Sequence, residues 1–213
     1  MLEDERWSVA NRAPDIDDLT PGRSGNLSLR SGDRFAVTPS GIPYADMTPD
    51  HIAVVDLDGV QEWGQHAPSS ETAMHATIYR RIDAGAVVHA HTPWSTSLAA
   101  LREPVPPVHY GLARAGGQVP VAEYATFGSD ALAENAAAAM ERAHTSACLL
   151  ANHGLIATGT DLDAAFDTLE AVEFTARVAL QAANLGEPVQ LSAGELDQAA
   201  AAFEAYRRPD SWE

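Results

Sequence analysis

Residues 86–92, Ala-Val-Val-His-Ala-His-Thr, read as a buried strand in the middle of the chain, and that strand carries two histidines, His89 and His91. A sheet containing such a strand needs cover, and helical patterns flank it on both sides in sequence. Side chains two apart on a strand project to the same side, so both imidazoles reach one point. Two such rings in an apolar strand are costly unless something organises them. A zinc ion with a further His or carboxylate would do so; so would mutual hydrogen bonding between core histidines.

The other elements follow from periodicity and punctuation. A short helix is predicted over 2–13 and strands over 34–38 and 52–57, the second closed by the hairpin signal Asp58-Gly59. Ser69 and Ser70 offer caps to a helix over 71–82, and Pro93 opens another to residue 100. A Pro-rich link over 103–108 and a Gly-rich loop lead to a strand at 119–122. A helix over 130–143, strands at 147–151 and 154–158, and helices over 162–185 and 194–208 complete the order. The interleaving is irregular, which predicts one α/β domain over 1–213, its mixed sheet covered by helices, with a short segment 1–22 in front and a tail at 207–213.

Charge narrows the function. Thirty acidic residues against thirteen basic ones give −17, and no basic stripe suited to nucleic acid is visible. All thirteen basic residues are arginine; without lysine, no side chain can form a Schiff base with a carbonyl substrate. The one cysteine, Cys148, rules out an intramolecular disulfide and a thiolate-built zinc site. There is no basic leader followed by an apolar stretch and no run long enough to span a membrane, so a cytoplasmic location is expected. Many carboxylates, no lysine and small core residues point to a salt-loaded, halophilic source.

Further candidates lie elsewhere. His153 stands where a hydrophobic strand ends in a turn, and Glu71 sits at a helix start, where it is either a ligand or an ordinary first-turn acid. His75 lies one turn beyond Glu71, but the H-E-x-x-H spacing of zinc proteases is absent. Three segments have the small, donor-rich character of an anion cradle: Gly25-Asn26-Leu27-Ser28, Thr38-Pro39-Ser40-Gly41 and Ser69-Ser70. None matches a P-loop or a dinucleotide-binding glycine turn.

These segments, with Val108-His109-Tyr110, Tyr124-Ala125-Thr126-Phe127-Gly128 and Asn152-His153-Gly154-Leu155, together resemble the class II aldolase/adducin family, and within it the zinc-dependent L-fuculose-1-phosphate aldolases. The resemblance covers about residues 22–206. It implies an α/β/α sandwich around a mixed, mostly antiparallel sheet, assembled as a homotetramer with active sites at subunit interfaces. It further implies one zinc per subunit held by His89, His91 and His153, with Glu71 as fourth ligand and catalytic acid/base. Gly25, Asn26, Ser40, Gly41, Ser69 and Ser70 would line the phosphate pocket. Tyr110 would reach a neighbouring subunit's site to protonate the aldehyde-side oxygen, and Phe127 and Tyr206 would form substrate walls.

The implied reaction is reversible cleavage of a ketose 1-phosphate, such as L-fuculose 1-phosphate, to dihydroxyacetone phosphate and a short aldehyde, L-lactaldehyde. A lysine-free chain needs a metal as electron sink for it. Arg23 departs from the family, which often has a small hydroxyl residue there; it either supplements the phosphate site or is solvated. Related 4-epimerases carry an acid just after the position of His109, where Tyr110 stands here. Dehydratases use an additional acid that has no counterpart in this chain, while a decarboxylase remains open. Adducin-like binding domains lack the metal ligands, which here are retained together.

Overall fold

The computed structural model describes residues 2–206. Its eight strands are β1 (Asn26–Ser31), β2 (Arg34–Val37), β3 (Ala53–Asp56), β4 (Gln61–Trp63), β5 (Ala86–Ala90), β6 (Val121–Ala122), β7 (Ala147–Leu150) and β8 (Gly154–Gly159). They form one sheet in the order β4-β3-β2-β1-β5-β8-β7-β6, antiparallel throughout except for the β6–β7 pair. The helices are α1 (Glu3–Arg12), α2 (Pro14–Asp17), α3 (Thr72–Arg81), α4 (Pro93–Leu101), α5 (Asp130–Ala143), α6 (Leu162–Ala183) and α7 (Ala193–Tyr206). The expected layered α/β arrangement with a mostly antiparallel sheet is the observed one.

Alternation along β5 divides the core in two. Ala86, Val88 and Ala90 face a cluster with Val9 of α1, Leu98 of α4, and Phe166, Leu169 and Val172 of α6. Val87 faces the other, with Met74, Ile78 and Tyr79 of α3 and Leu132, Ala136 and Met140 of α5. Every β5 residue is buried, as a strand covered on both faces must be. His89 shares the face of Val87 and so points toward α3.

Two departures from the sequence reading have local causes. The sheet begins at Asn26, not Arg34. Residues 26–31 alternate polar and apolar, but Asn26 and Ser28 are buried on the α3 side, so the usual contrast of wet and dry faces is missing. The segment read as a Gly-rich loop contains a 3-10 helix, Tyr110–Ala115, closed by Gly116 with φ +89°. The last helix ends at Tyr206 among the described residues, and the expected 207–208 extension and the 207–213 tail lie outside them.

Tertiary contacts place the strand ends. The first turn of α4 is capped from α6: Glu173 accepts hydrogen bonds from the Trp94 and Ser95 amides, at 2.9 and 2.8 Å, and from Ser95 Oγ at 2.7 Å. The His91 amide, just before that turn, donates to Thr20 Oγ1 at 3.1 Å. The exit of β5 is thus held from both sides. No helix among the described residues is long and apolar enough to cross a membrane.

A charge of −17 on 213 residues produces self-repulsion that salt relieves. In roughly 1 M KCl, where the Debye length falls to ~3 Å, the unfolding midpoint is expected to lie well above its value in dilute buffer. Thermal melts at the two salt levels check this; equal midpoints would contradict it.

Candidate active site

His89, His91 and His153 come from different places and meet. The first two follow one another on β5 and at its exit; the third sits in the turn from β7 to β8. Their ring centroids lie 4.9, 4.9 and 4.8 Å apart pairwise, and one ligand atom from each falls within 4.8 Å of the others. Asn152, at φ 54°, makes the tight turn that delivers His153, a conformation Asn tolerates better than most residues. The next residue has to be glycine, because a Cβ on Gly154 would lie 2.8 Å from both Ala90 O and His91 Cδ2. Gly25 plays the same part on the other side: its Cβ would fall 2.8 Å from the His89 carbonyl.

The ring nitrogens are oriented as ligands. His89 Nδ1 donates to the Leu155 carbonyl at 2.9 Å, which turns its Nε2 lone pair inward, 3.1 Å from His91 Nε2. Glu71, the N-cap residue of α3, completes the set, with Oε2 3.2 Å from His89 Nε2 and Oε1 3.3 Å from His153 Nε2. Zinc–nitrogen bonds of about 2.0–2.1 Å in a tetrahedron put ligand atoms about 3.3 Å apart. Glu71 Oε1 is buried and makes no hydrogen bond, its contact with His153 lacking the geometry of one. An orphaned carboxylate oxygen beside three inward lone pairs fits a divalent cation. His89, His91, His153 and Glu71 are the residues that could hold it.

Glu71, His91 and His153 line a cavity of about 410 Å³, with His89 buried beside them. Gly25, Asn26, Ser40, Gly41, Ser69 and Ser70 all line it, as does Phe127. The loops of the donor-rich end are tied together: the Ser40 amide donates to the Ala67 carbonyl and the Ser69 amide to the Thr38 carbonyl, each at 3.0 Å. The amides of Gly41 and Ser70, the latter at the start of α3, are left uncommitted among the described residues and are suited to an anion. The Asn26 side chain is engaged elsewhere, its Nδ2 donating to Glu71 Oε2 at 2.8 Å.

Arg23 also lines the cavity, its guanidinium donating to the Gly41 carbonyl at 2.5 Å. Tyr124 and Asn152 line it too. They lie within motifs the sequence displays, but neither stood out, because an aromatic on a loop and a turn Asn are common. Tyr110 and Tyr206 are not among the lining residues. Tyr110 is 56% exposed and stacks on Phe203 with ring centroids 5.8 Å apart; Tyr206 ends α7 in the exposed class.

Burial, above all, pushes His89, His91 and His153 down to about 4; for His91 and His153 the neighbouring His89 adds to the effect. All three are therefore neutral near pH 7, as metal ligation requires. The sign for stability follows. In the unfolded chain these rings titrate at the ordinary value, so below about pH 6.5 the unfolded state binds more protons and folding weakens until about pH 4. With a chelator present, unfolding free energy is expected to drop over that window by up to about 1.4 kcal/mol per pH unit for each imidazole. Denaturant titrations across it check this; a flat profile would contradict neutral burial.

Comparison with known proteins agrees with this geometry. Residues 7–180 match the family described as the class II aldolase and adducin N-terminal domain. The 5-methylthioribulose-1-phosphate/5-deoxyribulose-1-phosphate aldolase of Rhodospirillum rubrum is 44% identical over 88% of this chain and 85% of its own length. The 5-deoxy-D-ribulose 1-phosphate aldolase of Bacillus thuringiensis is 40% identical over 88% and 89%. A solved L-fuculose 1-phosphate aldolase superposes with a TM-score of 0.91 at 42% identity, covering 96% of this chain and 98% of that one. The chain belongs to the class II aldolase and adducin family, among its aldolases.

Proposed function

We propose that this chain is a zinc-dependent aldolase that reversibly cleaves a ketose 1-phosphate between C3 and C4, giving dihydroxyacetone phosphate and a short aldehyde. The observation that carries the reading is the convergence of three neutral imidazoles and an orphaned Glu71 oxygen, two of the rings and Glu71 lining a cavity with a donor-rich end. Zinc held by His89, His91, His153 and Glu71 would supply Lewis acidity, worth several kcal/mol, for the charge that develops on the ketose oxygens. Ser70 and Gly41 amides, the Ser40 and Ser69 side chains and the Gly25–Asn26 turn would seat the phosphate, with Arg23 adding the one cationic side chain of the cavity lining. As the C3–C4 bond breaks, the C4 hydroxyl gives up its proton to become the aldehyde and the bond's electron pair passes towards the C2 oxygen; Glu71, once protonated, would return a proton to C3.

Tyr110 would manage the proton on the aldehyde-side oxygen, acting on a neighbouring copy within a homotetramer. Its exposure and its place away from its own chain's cavity support that assignment. Phe127 would wall the aldehyde end, and Tyr206, at the end of α7, would do so as a second aromatic.

The aldehyde admits two readings. L-fuculose 1-phosphate would yield L-lactaldehyde; a 5-deoxypentulose 1-phosphate, cut at the same bond, would leave a two-carbon aldehyde. The names of the Rhodospirillum and Bacillus relatives favour the second. The exposed aromatic rings of Tyr124 and Phe127 suit the apolar terminus, methyl or methylthio, that both readings share. A cytoplasmic, salt-rich setting is part of the proposal, since salt would screen the repulsion between an anionic substrate and this acidic chain.

Cleavage of both ketose phosphates, assayed with and without a chelator at low and high KCl, tests the proposal. Chelation is expected to abolish turnover and added zinc to restore it; cleavage that survives EDTA would overturn the reading. Glu71→Gln should lower kcat by about 10²–10⁴-fold with a much smaller change in KM. Tyr110→Phe should slow turnover while zinc content stays at one per chain, and a fully active Y110F enzyme would remove Tyr110 from the mechanism. His153→Ala should lose the metal, as read by elemental analysis.

A further inference from the structure

Behind Glu71 lies a chain of buried polar atoms that runs in one direction. A carboxylate only accepts, so Asn26 presents its amide nitrogen to Glu71 Oε2, at 2.8 Å. The Asn26 carbonyl oxygen is thereby turned to His75 Nε2, at 2.6 Å, and since that oxygen only accepts, Nε2 carries the proton. His75 is neutral: burial, and then the neighbouring His89, push it down to about 3. Its lone pair therefore sits on Nδ1, where Ser28 Oγ donates at 2.6 Å. Tyr79 closes the chain, its hydroxyl proton shared between Ser28 Oγ at 2.7 Å and the Ser28 carbonyl at 3.1 Å.

The whole line is out of water, with Ser28 and His75 wholly buried and Tyr79, Asn26 and Glu71 nearly so. The fold supplies its parts from two elements. Asn26 and Ser28 project from the α3-facing side of β1, where Asn26 is the register partner of His89 and Ser28 that of Val87. Glu71, His75 and Tyr79 recur every fourth residue at the start and along one face of α3.

We infer that His75, anchored at one ring nitrogen by Ser28 and at the other by Asn26, is a positioning residue: through Asn26 it aims the Glu71 carboxylate at the point where the three catalytic-site imidazoles meet. It rests on the proposed zinc site, but not on which substrate that site takes. The polarity of the chain makes the inference specific. Without the Ser28 hydroxyl, His75 Nδ1 is left buried and unpaired, and only the Asn26 oxygen still holds the proton on Nε2. A ring that shifts to find a partner for Nδ1 takes the Nε2 donor away from Asn26, whose amide then no longer holds the Glu71 carboxylate in place.

Three substitutions separate positioning from simple packing. Ser28→Ala deletes one oxygen and keeps the volume. His75→Leu removes the donor altogether, and His75→Gln restores an N–H near the place of Nε2. Zinc affinity of the metal-stripped proteins, measured by competition with a chromophoric chelator, is expected to fall about 10- to 100-fold in S28A and H75L. In H75Q it should recover to within about threefold of the parent. At saturating zinc, kcat should fall by a similar factor in S28A and H75L while KM for the ketose phosphate changes by less than about twofold.

Zinc affinity in S28A within about threefold of the parent would overturn the inference, as would an H75Q protein no better than H75L. Where H75L does not fold, S28A decides alone. Should the parent cleave no ketose phosphate, the aldolase reading fails, while the zinc titrations still judge the role of His75.

Discussion

A carboxylate and four imidazoles lie at or near the interior of this protein, and polar groups so placed are expensive unless each finds a partner. That requirement organises the centre of the fold. His89 and His75 are wholly buried, and each is satisfied by a bond to a fixed neighbour: the Leu155 carbonyl for one, Asn26 and Ser28 for the other. Glu71 takes one bond from Asn26 and is left with a bare oxygen facing the histidines. The strands β1, β5 and β8 must then pack closely enough to hold these contacts, which is why backbone carbonyls crowd Gly25 and Gly154 and leave no room for a side chain at either.

The convergence of the histidines was legible because its signal is local and chemically unusual. Two histidines at spacing two in an apolar strand, a third in a turn and an acid at a helix start stand out against their surroundings. What supports them was harder to see. Asn26 and Ser28 read as part of an anion cradle and not as a strand, since a strand whose polar members are buried breaks the expected alternation. His75 was visible one turn after Glu71, yet its spacing served only to exclude a protease motif. The i, i+4, i+8 recurrence of Glu71, His75 and Tyr79 is the signal that could have joined them, and it gains meaning only when β1 is laid against α3.

The opposite end of the cavity is built differently. With no lysine in the chain, an anion there would be met by backbone and hydroxyl donors, and hydrogen bonds between the loops, Ser40 to Ala67 and Ser69 to Thr38, hold those donors in place. Neutral donors attract less strongly than ammonium groups at long range, so an acidic protein of this kind gains little from steering and relies on short-range fit. Arg23 supplies cationic character within the lining, and its bond to the Gly41 carbonyl sets it beside one of the uncommitted amides.

The two constructions differ in how freely they can vary. Moving His75, His89 or Glu71 would unpair a buried group, so the histidine end tolerates little change. Tyr124 and Phe127, by contrast, lie on a segment between β6 and α5 and are more than half exposed. Substituting either reshapes the aldehyde end without leaving a buried polar atom alone. On the proposed reading, selection among short aldehydes can therefore drift on this scaffold while the chemistry at C3 and C4 stays the same. Such an asymmetry is consistent with relatives of about equal identity bearing the names of different ketose 1-phosphates.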